Sequence, residues 1–67
     1  MAQTFDYVSA RDIKVGDVLE HPYTTWTVTK VTVNQAIDHY RFEATPSNPS
    51  YERIITAFGD AIFQRSK

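Results

Sequence analysis

Few residues in this chain could do chemistry. The two histidines, His21 and His39, are the natural general bases or metal ligands. His21 precedes Pro22 in a turn sequence, and His39 follows Asp38 on the outward parity of a strand pattern. A Ser–His–Asp nucleophile needs a serine held against one of them. Ser9, Ser47, Ser50 and Ser66 all sit where capping, loop or terminal roles account for them. His21, His39, Asp38 and Glu20 show no metal-ligand spacing. Asp12, Asp17 and Asp60 suit turns, and Glu43 and Glu52 flank a proline-rich stretch, so no carboxylate pair is set up for acid–base work. Gly16 and Gly59 stand alone, which excludes a glycine-rich phosphate loop, and the absence of cysteine removes disulfides, thiolate zinc sites and cysteine nucleophiles together. A non-enzymatic protein without metal or cofactor is expected.

Binding chemistry is better represented. His39-Tyr40-Arg41-Phe42 and Tyr51-Glu52-Arg53 interleave aromatic and cationic side chains on two extended segments. If register set Arg41 beside Arg53, the pair could contact the phosphates of a single-stranded nucleic acid while exposed rings stacked on its bases. Alternation turns Tyr40 and Phe42 inward when Arg41 points outward, which leaves Tyr51 and Tyr23 as stacking platforms. The formal net charge of −1 gives little non-specific pull on phosphate polymers. Protein recognition needs only an exposed aromatic anchor, and Tyr23 beside Pro22, Tyr51 after Pro49, and Phe58 all lie at turns. The candidate binding residues are therefore Tyr23, Tyr51, Arg41, Arg53, His39 and Phe58.

These residues must be positioned by strands. Of 67 residues, 28 are apolar, and eleven Val plus Ile stand against one Leu and one Met. Eight threonines and nine aromatic residues add to the strand formers. Branching at Cβ restricts χ1 in a helix and suits a pleated surface, so the composition predicts an all-β chain. A chain this short builds one core, hence a single domain over residues 1–67.

Along the chain, Thr4–Val8 is extended with Phe5 and Tyr7 on one face. Ser9 caps a single helical turn by accepting the Asp12 N–H, and Lys14–Asp17 makes a tight turn with Gly16 at positive φ. Asp17–Glu20 and Thr25–Val33 form a hairpin across His21–Thr24. Trp26 and Val28 share one parity, Val31 and Val33 the other, which predicts a β-bulge near Thr29–Val31. Ile37–Ala44 alternates as a half-buried strand, Thr45–Ser50 is a stiff loop, and Tyr51–Phe58 and Ala61–Arg65 complete the set, with Ile54 and Ile55 ambiguous. The core expected is Val18, Trp26, Val28, Val31, Tyr40, Phe42 and Ile54, centred on Trp26. Five or six short strands and one helical turn predict a small barrel, since closure would remove unpaired edges.

Ser9-Ala-Arg-Asp-Ile-Lys-Val-Gly-Asp-Val-Leu19 followed by Trp26-Thr-Val-Thr-Lys-Val31 resembles the opening of small SH3-like barrels. It is similar to KOW-type barrels such as the first domain of elongation factor P, to the first strands of Hint domains, and to short stand-alone proteins of actinobacteria and their phages. The likeness covers about residues 8–33. It implies an SH3-like barrel of five or six strands and, through the stand-alone proteins, a phage-encoded accessory protein. The chain lacks the initial Cys or Ser of a Hint domain and the lysine-bearing loop of elongation factor P, so neither activity is implied.

The combined expectation is a small binding protein that meets a protein partner through turn aromatics and an exposed sheet face. The alternatives are a single-stranded nucleic-acid module using Arg41 and Arg53, and a structural subunit that dimerises through an edge strand. No apolar run is long enough to span a bilayer, and the first residues lack a signal-peptide pattern, so a complete cytoplasmic protein off the membrane is expected.

Overall fold

The computed structural model describes residues 5–66. Its strands are β1 (Phe5–Ser9), β2 (Val18–His21), β3 (Thr24–Asn34), β4 (His39–Pro46), β5 (Ile54–Phe58) and β6 (Ile62–Ser66), with a 3-10 turn at Ala10–Asp12. They form one antiparallel sheet in the order β1-β6-β2-β3-β4-β5. The β-branched and aromatic composition is thus used as a wholly β fold. No helix among the described residues is long and apolar enough to cross a membrane.

The bulge falls inside the expected window. Val28 pairs with Ala44 and Lys30 with Glu43, so Thr29 is the unmatched residue. Its hydroxyl donates to the Glu43 carbonyl at 3.0 Å, compensating the interrupted ladder. The extra residue also resolves the parity slip, because Val28 and Val31 both turn to the face that carries Phe42.

That face holds the core. Ala10, Ile13, Leu19, Val28 and Phe42 are buried together, and Val8, Trp26, Val31, Tyr40, Ile55 and Phe63 pack around them. Three core expectations need correction. Leu19 rather than Val18 points inward, because Leu19 is the residue paired with Trp26. Ile55 rather than Ile54 faces the core, because it lies across from Phe42, while Ile54 is 44% exposed. Trp26 is only half-buried and does not form the centre, which belongs to Phe42, Leu19 and Val28.

Boundaries also shift. β4 begins at His39 and runs through Pro46, which is buried opposite Trp26 rather than lying in a loop. Ile37 belongs to the turn, where Asp38 takes φ +52°, and β5 starts at Ile54 rather than Tyr51. Ser9 does not cap with its side chain onto the backbone; its hydroxyl donates to the Asp12 carboxylate at 2.8 Å instead. The tight turn is as expected, with Gly16 at φ +95°, where a Cβ would be strained. Thr4, expected to begin the first strand, lies outside the described residues.

Three segments meet at Gly59. Its N–H donates to the Asp38 carbonyl at 2.8 Å, and its carbonyl accepts the Arg11 N–H at 3.3 Å. The Asp38 carboxylate lies over Gly59 and accepts from the Arg11 guanidinium at 2.8 Å, a bond that raises the guanidinium pKa. A Cβ at residue 59 would collide with that carboxylate. Gly59→Ala should therefore cost about 1–2 kcal/mol in urea unfolding, within the usual range for a local steric fault. In an Asp38→Gly background, where the offending group is gone and positive φ is free, most of the cost should vanish. Two equal costs in a double-mutant cycle would refute the contact.

Candidate functional site

The β2–β3 hairpin turns at Pro22-Tyr23 and leaves Tyr23 73% exposed. The Tyr23 N–H donates to Nδ1 of His21 at 3.3 Å, which in the neutral ring leaves the proton on Nε2. His21 is the hub of an aromatic cluster: its ring centroid lies 5.9 Å from Tyr23, 5.5 Å from Trp26 and 5.5 Å from Tyr51. Trp26 and Tyr51 meet edge to face at 5.9 Å. Such tilted contacts set the positive ring edge against a neighbour's negative face.

The loop after β4 brings Tyr51 to this hairpin. Thr24, 5% exposed, shares a 3.1 Å hydroxyl contact with Ser47, and its oxygen accepts the Asn48 N–H at 3.0 Å. Ser47 accepts the Thr25 N–H at 2.9 Å and returns its own N–H to the Thr25 carbonyl at 2.8 Å. Asn48 then folds the chain back, its side-chain oxygen taking the Ser50 N–H at 3.0 Å and its carbonyl the Tyr51 N–H at 3.1 Å. Nε1–H of Trp26 closes the arrangement by donating to the Glu52 carbonyl at 2.8 Å. The loop is anchored at both ends, so the rings are preorganised rather than trailing.

An open groove of about 510 Å³ adjoins the cluster and shares His21 with it; Phe5, Glu20, Pro22, Ile62, Phe63 and Gln64 line the rest. The cluster itself contains no Lys, Arg, Asp or Glu, whereas Glu20 and Glu52 flank it in sequence. Among the described residues neither the Tyr23 nor the Tyr51 hydroxyl makes an internal hydrogen bond. The surface is amphipathic: apolar ring faces with free phenolic groups at their rim.

The other candidates lie elsewhere. His39 and Phe58 pair across β4 and β5, with ring centroids 5.2 Å apart, and Phe58 is 58% exposed. They sit near the opposite end of β3, some ten residues or roughly 30 Å along the strand from Tyr23. Register sets Arg41 beside Thr56, not Arg53, and Arg41 reaches Glu43 at 3.8 Å. Arg53 lies beyond β5, its carbonyl accepting the Ala44 N–H at 2.9 Å. The basic pair required for the nucleic-acid reading does not assemble. Residues singled out in sequence thus divide: Tyr23 and Tyr51 join one cluster through His21, and His39 and Phe58 meet at the other end of the sheet. His21 and Trp26 were not singled out as binding residues; a His-Pro-Tyr turn followed by Trp26 on the adjoining strand was the available signal.

Among the described residues no group of three His, Asp or Glu side chains converges where a metal ion could be held, and no buried side-chain polar atom lacks a partner. Comparison with known proteins gives no match to any family model, any curated protein or any solved structure.

Proposed function

We propose that this chain is a non-enzymatic binding protein that recognises a protein partner through the aromatic cluster of His21, Tyr23, Trp26 and Tyr51. The observation that carries this reading is Tyr23, a large ring 73% exposed yet backed by His21, which itself packs on Trp26 and Tyr51. Rigid, exposed aromatic residues cost little conformational entropy on binding and dominate interface energetics. The adjoining groove can receive a neighbouring side chain of the partner.

The same proposal extends to the architecture: the sheet curls as an SH3-like barrel that stays open between β1 and β5, its two unpaired edges. Supporting this are the bend at Thr29, the single buried face, and the 3-10 turn, whose Ala10 and Arg11 N–H groups bond to Ala61 and Gly59 on either side of the β5–β6 turn.

The test is recovery of a partner from a cell lysate by the tagged chain, followed by titration of the purified pair. Tyr23→Ala should weaken binding at least tenfold, as truncation of a hot-spot ring does. It should leave the circular dichroism spectrum unchanged, because the ring is largely exposed. Phe58→Ala, at the far end of the sheet, should bind like the parent. Binding that survives Tyr23→Ala but fails with Phe58→Ala would reject the aromatic cluster as the site.

A further inference from the structure

The sheet ends in β1 and β5, and these two edges differ in a way that has consequences. β1 carries Asp6, a charge on the core-facing side paired with Arg65 at 3.0 Å. An inward-pointing charge is a common device against strand addition. β5 reads Ile54-Ile55-Thr56-Ala57-Phe58, without a charge, a proline or a bulge.

The hydrogen-bond phase shows what this edge offers. Ala44 N–H donates to Arg53, and Gly59 N–H donates to Asp38, at the two ends of the β4–β5 ladder. In an antiparallel ladder bonding alternates along each strand, so Arg53, Ile55, Ala57 and Gly59 turn their backbone groups toward β4. Ile54, Thr56 and Phe58 turn theirs away from it. The same three residues place side chains on the outer face, where Ile54 is 44% and Phe58 58% exposed. An uncharged edge therefore presents backbone groups and apolar side chains at the same positions, the Phe58 carbonyl apart, which accepts the Ala61 N–H at 3.0 Å. The backbone of the 3-10 turn bonds to Gly59 and Ala61, both past the end of the strand.

We propose that β5 pairs antiparallel with β5 of a second copy, about a two-fold axis at Thr56. The segment is self-complementary in this register. Thr56 exchanges both backbone bonds with its own counterpart, and Phe58 N–H reaches the Ile54 carbonyl in each direction. Ile54 packs beside the second copy's Phe58 on the outer face, covering the side chains that the single chain leaves in water. At each end Arg53 comes within one position of the second copy's Asp60. Arg53 has no ion pair among the described residues. The occupant is a second copy rather than an unrelated strand because pairing register, apolar contacts and charge are all matched by the chain's own residues. This association uses the outer edge of β5, which begins three residues after Tyr51, and needs none of the four rings of the aromatic cluster, so its loss and the loss of partner binding are distinguishable.

Sedimentation of the full chain from micromolar to millimolar concentration tests it. The mass should rise from the 7.7 kDa of one chain toward twice that value. Thr56→Lys sets like charges face to face at the axis and should weaken association at least tenfold, with an unchanged circular dichroism spectrum. Residues in such a bonded pair lie about 5.5 Å apart at Cα, inside the range a disulfide spans. Because the chain has no cysteine, Thr56→Cys should give a single cross-linked dimer on mild oxidation, whereas Thr27→Cys, exposed on an interior strand, should not. A chain that stays monomeric throughout, or one that associates equally well with Thr56→Lys, would overturn the proposal. So would oxidation that couples Thr27→Cys as readily as Thr56→Cys.

Discussion

Phe42→Ala should cost about 3–5 kcal/mol, the largest loss of stability expected from any single substitution in this chain. Phe42 is fully buried and sits mid-way along β4, between Val31 on one neighbouring strand and Ile55 on the other. Its ring stacks on Tyr40 at 6.2 Å and meets the edge of Phe63 at 6.2 Å, so it joins β4 to β6 as well. Truncating such a ring loses its transfer free energy and leaves a cavity, together about 3–5 kcal/mol. At 0.05–0.15 kcal/mol per residue, the whole chain has roughly 3–10 kcal/mol of stability to lose. One substitution therefore removes a third to all of it. Phe42→Leu keeps most of the volume and should cost about 1.5 kcal/mol or less. Urea unfolding followed by far-ultraviolet circular dichroism reads both. A cost under 1 kcal/mol for Phe42→Ala would mean that the core is organised around another residue.

The reasons some of this was legible in sequence and some was not are local. In β4, Tyr40, Phe42 and Ala44 alternate cleanly with polar residues, and period-two patterning is enough to turn Phe42 inward. The bulge at Thr29 was legible for a related reason: Val28 and Val31 cannot both face one core without an inserted residue. β2 carries no such signal, because Val18 and Leu19 are adjacent in a four-residue strand. Pairing with Trp26 across the hairpin decides their parity, and pairing is a tertiary fact. Ile54 and Ile55 pose the same problem and are resolved the same way, through Phe42. Ala10, fully buried in the 3-10 turn, escaped notice because a small side chain signals burial only when its surroundings are known.

The candidate site was legible in its exposed members and not in its assembly. Tyr23 directly after Pro22 and Tyr51 two residues after Pro49 are each conspicuous, but nothing local says that segments so far apart in sequence will meet. Their meeting depends on the Thr24 and Ser47 hydroxyls, which contact each other and accept the backbone N–H groups of Asn48 and Thr25, tying the loop to β3. In sequence these residues suggest only a solvated turn. The converse holds for Arg41 and Arg53: similar aromatic–cation motifs suggest a pair, and a strand register set by the bond between Ala44 and Arg53 keeps them apart.

Trp26→Ala should cost less than Phe42→Ala, about 2–3 kcal/mol, because the indole is only half-buried and part of its surface already meets water. The larger consequence is positional. Trp26 touches His21 and Tyr51 and holds the Glu52 carbonyl, so its removal frees one end of the loop that carries Tyr51. Trp26→Phe separates the two contributions. It retains a ring between His21 and Tyr51 but cannot donate to Glu52, a loss of about 1 kcal/mol. Amide exchange at Ser50–Glu52 should accelerate in both variants, while exchange at Leu19 and Phe42 should follow global stability alone. Partner affinity should fall further than stability does, since a mobile Tyr51 must be re-ordered on binding. If Trp26→Ala proves as costly as Phe42→Ala, the indole is the true centre of packing. If it leaves exchange at Ser50–Glu52 unaltered, Trp26 does not hold the loop, and the preorganisation assigned to the aromatic cluster fails with it.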